Sequence, residues 1–115
     1  MPTEPLSGVT RTVVLNVELP TALQTGHVEV RRITMEPRTG AGLHVHNGPV
    51  FGTIESGSAV YEIEGKAATT LKPGDVFYEP AGIRISRFDA TDEGVTFLGY
   101  FLLEAGQESE LSFPG

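Results

Sequence analysis

The sequence predicts an all-β fold, a sandwich or closed barrel, and three observations carry the prediction. Apolar and polar residues alternate with period two in several short stretches, as they do in half-buried strands. Turn signals built from Gly, Pro, Asn and Asp recur about every ten residues. No stretch carries an apolar stripe at helical spacing. With 14 glycines and 8 prolines in 115 residues, the chain suits many short elements joined by turns. One domain spans 1–115 in this reading, with its core at about residues 12–103 and loosely held termini.

The elements follow in order. Thr12-Val13-Val14-Leu15 is β-branched and apolar and reads as a strand. His27 to Met35 alternates, but Val28 and Val30 lie in one phase and Ile33 and Met35 in the other, which predicts a bulge near Arg31-Arg32. Pro37 to Gly42 is a loop and Leu43 to His46 a strand, broken by Asn47-Gly48-Pro49. Val50 to Glu55 and Ser58 to Glu64 are strands around a Ser56-Gly57 turn, and Lys72-Pro73-Gly74-Asp75 is a strong turn. Val76 to Glu79, Arg84 to Phe88 and Val95 to Leu103 complete the set, with Asp92-Glu93-Gly94 between the last two. The polar tail from Glu104 onward reads as loosely held.

Composition narrows the function. A formal net charge of −7 repels phosphate backbones and anionic headgroups, so neither nucleic acid nor a membrane surface is an expected partner. The chain has no cysteine, which excludes disulfides and thiol catalysis. Met1 to Thr10, with Pro2 and Pro5, lacks a basic-then-apolar signal pattern, and no apolar run approaches the roughly 20 residues that span a bilayer. The expectation is a soluble, cytoplasmic protein.

His44-Val45-His46 is the most informative motif. Two histidines at i and i+2 of a strand leave the same face, where their ring nitrogens can converge on one metal ion or one substrate. They are two of only three histidines. The third, His27, stands alone near a turn and reads as a surface residue.

Around this pair the chain resembles a small single-domain bacterial cupin, a jelly-roll β-barrel. The first cupin motif places Gly, five residues, His-x-His, three or four residues, Glu, six residues, Gly. Here it matches at His44, His46 and Gly57. The second motif matches at Gly74, Pro80 and Gly82, with Asp75 after the glycine. The resemblance covers roughly residues 12 to 103. It implies a pocket that binds a divalent transition metal (Zn, Fe, Ni, Cu or Mn) and dioxygenase, isomerase or cyclase chemistry on a small molecule. Three positions depart from the pattern. Val50 stands where the first motif has its Glu, Ile85 where the second has its His, and Asp89 where it has its Asn. Two ligands of the usual four remain. Transition metals are held tightly by about three or more protein ligands, so the pair is expected to hold a metal weakly or not at all.

Other residues are candidates for the pocket. Glu79 reads first as a surface carboxylate at a strand end, and second as a substrate contact or stand-in ligand. Tyr61 shares a face with Ala59 and Ile63 and is expected inside, as a core tyrosine or a substrate contact. Counting by two from Ile85 sends Arg87 into the pocket, where it could bind a substrate carboxylate; a register shift would turn Arg84 inward or Arg87 outward instead. Arg31 and Arg32 are expected on a solvated or interface face. Leu43 and Val45 point opposite to the histidines and ask for apolar cover, which predicts a homodimer.

Three functions fit: an enzyme acting on a small molecule, with His44 and His46 as ligands or as acid and base; a non-catalytic ligand-binding cupin; and a structural dimer with a vestigial pocket. A vestigial pocket should have filled with apolar groups. Val50 and Ile85 move in that direction, while the histidines do not.

Overall fold

The structure, a computed structural model, describes residues 7–113. Residues 1–6, with Pro2 and Pro5, and residues 114–115 lie outside the described residues. The described chain has strands and no helix, so no helix is long and apolar enough to cross a membrane.

Among the described residues seven strands are formed: β1 (His27–Met35), β2 (Val45–His46), β3 (Val50–Ile63), β4 (Thr69–Leu71), β5 (Val76–Glu79), β6 (Ile85–Leu103) and β7 (Leu111–Ser112). One sheet has the order β1-β6-β3-β4, with β5 also paired to β3, and β2 pairs with β7 in a second, two-stranded sheet. All pairings are antiparallel. Bridges from Gly40 to Asp89 and from His44 to Ile85 tie the segment before β2 to the start of β6.

The two expected turns at Ser56-Gly57 and Asp92-Glu93-Gly94 are bends inside continuous strands. β3 and β6 run through them, with register shifts at Ile54/Ser56 and Gly57/Ala59. Gly57 and Gly94 have positive φ, 72° and 68°, and a Cβ on Gly57 would come within 2.0 Å of the Gly94 carbonyl oxygen. Glycines allow both the left-handed backbone and the close approach, so the sheet folds over at this corner and the strands serve both halves of the fold.

Two further expectations are corrected. Thr12 to Leu15 forms no strand; it has no ladder partner, and Val13 is 77% exposed. β1 keeps an unbroken register with β6 from His27↔Leu103 to Met35↔Val95, so there is no bulge at Arg31-Arg32. The phase change marks a strand apolar on both faces: Ile33 and Met35 face the interior, and Val28 and Val30 are exposed outside. The segment after Glu104 contributes β7, two residues long with both residues exposed.

The interior has two apolar clusters. The larger centres on Phe77, Phe88 and Phe97, with ring centroids 4.8–5.7 Å apart, each contact contributing about 0.5–1.5 kcal/mol beyond its buried area. The smaller is Val50, Phe101 and Leu103, and Ile33 packs against both. A cavity of about 410 Å³ is lined from both clusters and also by His44, His46 and Glu79.

Candidate metal centre

His44 and His46 reach the cavity from β2 and the residue before it. Both are buried, 3% and 7% exposed, and their rings meet edge to face at 5.1 Å. The His44 backbone is locked to Ile85 by two hydrogen bonds, His44 N to Ile85 O at 3.0 Å and Ile85 N to His44 O at 2.8 Å. Ile85, in the position of the missing motif histidine, is completely buried; it fills space beside His44 and contributes about 1.5–3 kcal/mol by its burial.

Glu79 is the third member. It is 5% exposed, which overturns its first reading as a surface carboxylate. The last residue of β5, it sits directly opposite Val50 of β3, so both side chains leave the same face of the sheet. Its Oε2 is 2.7 Å from His46 Nε2 and its Oε1 is 3.5 Å from His44 Nε2. One ligand atom from each of the three residues can be chosen so that all lie within 4.8 Å of one another. His44 Nδ1 lies 2.7 Å from the Gly42 carbonyl oxygen and donates to it. That bond orients the ring with Nε2 toward Glu79, so that Nε2 donates to the carboxylate when His44 is protonated and offers its lone pair when it is neutral, the orientation used by metal-binding histidines.

The electrostatics follow from burial and pairing. Burial pulls His44 down, but hydrogen bonds to Glu79 and the Gly42 carbonyl, with the charges of Glu79 and Asp89, outweigh it and raise its pKa overall. Burial pushes Glu79 up, but hydrogen bonds and charge from both histidines hold it below the usual carboxylate value.

This group fits a cation. His46 Nδ1 and Glu79 Oε1 are buried without a hydrogen-bond partner, and each such group costs about 1–3 kcal/mol if nothing binds it. Two imidazoles and a carboxylate also form a donor set suited to divalent transition metals.

The remaining candidates lie elsewhere. Arg87 points outward and pairs with Glu62, Nε to Oε1 2.9 Å. The register passes from Glu62↔Arg87 to Ile63↔Ile85, so Ser86 is an extra residue on β6. That bulge reverses the alternation: Ile85 and Phe88 face inward and Arg87 does not. Arg84 is outside too, 3.1 Å from Glu64. Tyr61 is half-buried against Phe77 and Phe88 and does not line the cavity; its hydroxyl donates to the Tyr78 carbonyl, one residue before Glu79. Burial, then the charge of Glu79, holds that phenol far above its ordinary pKa. His27 is exposed, with Nδ1 3.3 Å from the Gln107 carbonyl oxygen. Leu43 and Val45 are half-buried, and Val45 pairs with Ser112 of β7.

Two cavity-lining features escaped the sequence reading. Arg31 lines the cavity, although it was expected on a solvated or interface face. It shares a phase with Ile33 and Met35, and that shared phase was the available signal. Ser109 and Leu111 of the tail also line it, and nothing in the sequence pointed to them.

A family model described as "Cupin domain" matches residues 31–98, more than half of the chain. The chain belongs to the cupin family. Its fold is the cupin jelly roll. Similar solved structures include a cupin-like protein from Thermotoga maritima (26% identity, TM-score 0.64, covering 75% of this chain and 65% of that one). They include the DMSP lyase DddQ from Ruegeria pomeroyi (21%, 0.65, covering 76% and 44%). Oxalate decarboxylase from Bacillus subtilis is also similar (22%, 0.64, covering 75% and 23%). The chain thus spans less than two thirds of each of these proteins. No curated protein matches it.

Proposed function

We propose that this cupin acts on a small organic molecule in the barrel cavity, and that His44, His46 and Glu79 hold a divalent transition metal there. The observation that carries this reading is the pair of orphaned buried atoms, His46 Nδ1 and Glu79 Oε1, in a group of three close ligand atoms. A barrel that had lost its function would gain stability by replacing three buried ionisable groups with apolar ones. When bound, a metal supplies a Lewis acid that polarises a substrate oxygen. The residues themselves do the rest. Gly42 orients the His44 ring, Glu79 offers its carboxylate to both imidazoles, and Val50, Phe97 and Phe101 line the surrounding cavity with apolar surface that disfavours water. Three protein ligands leave coordination positions open to substrate, the pattern of catalytic rather than structural sites.

The 2.7 Å contact between His46 Nε2 and Glu79 Oε2 favours a second reading. A carboxylate-paired imidazole can accept a substrate proton without metal. Elemental analysis of protein purified without a histidine tag separates the two readings. Stoichiometric metal in the wild type that is lost in His44→Ala supports the first. Less than about a tenth of an ion per chain in both leaves only the metal-free reading.

We further propose a homodimer, formed through a different surface from the one the sequence suggested. Val30, Tyr100, Phe51 and Tyr78 stand side by side in one row across β1, β6, β3 and β5. Phe51 and Tyr78 are stacked at 5.1 Å, and Val28, Val30 and Tyr100 are exposed. An apolar row of this extent on an outer sheet face is the kind of surface that a second copy covers.

A further inference from the structure

We infer that Arg31 selects the occupant of the cavity, and that the occupant is a small carboxylate with an apolar body. The inference deepens the proposed function, in that it rests on the cavity being a ligand site. Among the described residues Arg31 is the only lysine or arginine that lines the cavity.

Its placement is built by the sheet. On the inner face, one row across the strands reads Arg31, Gly99, Gly52, Phe77. The two central positions have no side chain. A Cβ on Gly99 would come within 3.0 Å of the Phe101 ring, and one on Gly52 within 2.2 Å of the Phe77 ring. The bare glycines let those rings lie flat against the sheet and keep space open beside Arg31.

The Arg31 guanidinium carbon lies 5.2 Å from the centroid of the Phe101 ring, a cation–π contact that holds it in place. The same ring meets His46 at 6.2 Å. Arg31 and His46 therefore neighbour the same aromatic ring and line the same cavity. Glu29, two residues along β1, pairs with Arg31 through Nε. That pair is well exposed, with side-chain exposures of 34% and 48%, so water screens it and it is weak. It leaves the two terminal nitrogens to bind both oxygens of a carboxylate.

Charge and lining set the ligand class. In the metal-free site the Glu79 carboxylate repels an anionic group, and Arg31 attracts one. Ile33, Met35 and Phe97 line the same cavity and suit an apolar body.

The test measures, by calorimetry, binding of benzoate and of its neutral isostere benzamide to metal-free and zinc-loaded protein. The metal-free wild type should bind benzoate about tenfold or more tightly than benzamide, the value of one charge-assisted bidentate contact. Arg31→Met should bring the two ligands within about twofold, and Arg31→Lys should keep part of the preference. Thermal unfolding of each variant confirms that it folds. Gly99→Val, which fills the cavity, should weaken both ligands alike. An unchanged benzoate preference in Arg31→Met overturns the inference, as does absence of benzoate binding to the wild type. A preference confined to zinc-loaded protein and insensitive to Arg31 also overturns it, because the carboxylate then sits on the metal. If elemental analysis finds no metal but the Arg31-dependent preference persists, the metal reading fails and the present one stands.

Discussion

Val50 and Glu79 are cross-strand partners on β3 and β5, so the carboxylate absent from the first cupin motif stands one strand away from its expected place and on the same face. Partner side chains in an antiparallel pair start about 5 Å apart, a distance the length of a glutamate side chain can cover. The proposed ligand set is thereby two histidines and a carboxylate on a neighbouring strand. Ile85, the other departure, is the bridge partner of His44 and has become packing.

This relation predicts the outcome of a swap. Glu79→Gln should weaken zinc or manganese binding by about 100-fold or more, since it removes a ligand rather than an outer-shell partner. Val50→Glu combined with Glu79→Val returns the carboxylate to β3 and should recover most of that loss. Metal titrations of the wild type, Glu79→Gln and the double variant check it. A double variant no better than Glu79→Gln would show that the two positions are not equivalent.

The paired ionisable groups predict how stability depends on pH without metal. His44 has a raised pKa in the fold, so its contribution is complete below its ordinary value of 6.5 and is lost as pH rises through the raised value. Glu79 has a lowered pKa, so its contribution is complete above its ordinary value of 4.5 and is lost as pH falls through the lowered value. The metal-free protein should be most stable between those two ordinary values. Metal needs neutral His44, so added zinc should shift the maximum to higher pH. Melting temperatures measured across pH, with and without zinc, check both statements.

The fold and half of the site were legible because they rest on local rules. His44-Val45-His46 announces itself by strand periodicity, and Gly57 by the motif spacing. The errors came where a partner strand decides. Thr12 to Leu15 has strand propensity, but a strand needs a ladder and the described residues supply none. The inward count to Arg87 was undone by one extra residue, Ser86, which only the pairing with β3 reveals. Glu79 looked like a strand-end carboxylate because burial of a charged group depends on groups 33 and 35 residues away in sequence.

Arg87 therefore serves as a negative control for the site. Its ion pair with Glu62 is exposed on the barrel surface, and such pairs contribute about 0–1 kcal/mol. Arg87→Ala should change unfolding free energy by less than about 1 kcal/mol and leave metal affinity untouched. A large loss of metal binding would place Arg87 in the site after all.

The corner glycines carry more of the stability. An alanine at Gly57 takes on a left-handed φ of 72° and meets the Gly94 carbonyl oxygen at 2.0 Å. The strained backbone alone costs about 1–3 kcal/mol, and the clash is with backbone rather than a flexible side-chain end. Gly57→Ala should lose about 3 kcal/mol or more, or fail to fold. Gly65→Ala is the control: Gly65 shares the positive φ, 85°, but no atom lies within 4 Å of its added Cβ. It should lose only the backbone part, and denaturant unfolding of the two variants separates strain from clash.

The outer row from Val30 to Tyr78 predicts the behaviour of the chain in solution. Phe51 and Tyr78 are half-buried in this row, but Val30 and Tyr100 at its β1–β6 end are exposed and keep no water out of the core, so the fold itself gains little from them. Val30 is 51% exposed beside Tyr100, and a charge there is unfavourable only if a second copy covers it. Val30→Asp should convert a dimer to a monomer in light scattering at micromolar concentration while leaving the cavity, on the opposite face of β1, able to bind metal with unchanged affinity. A wild type already monomeric under those conditions would remove the dimer from the proposal, and the row would then need another partner.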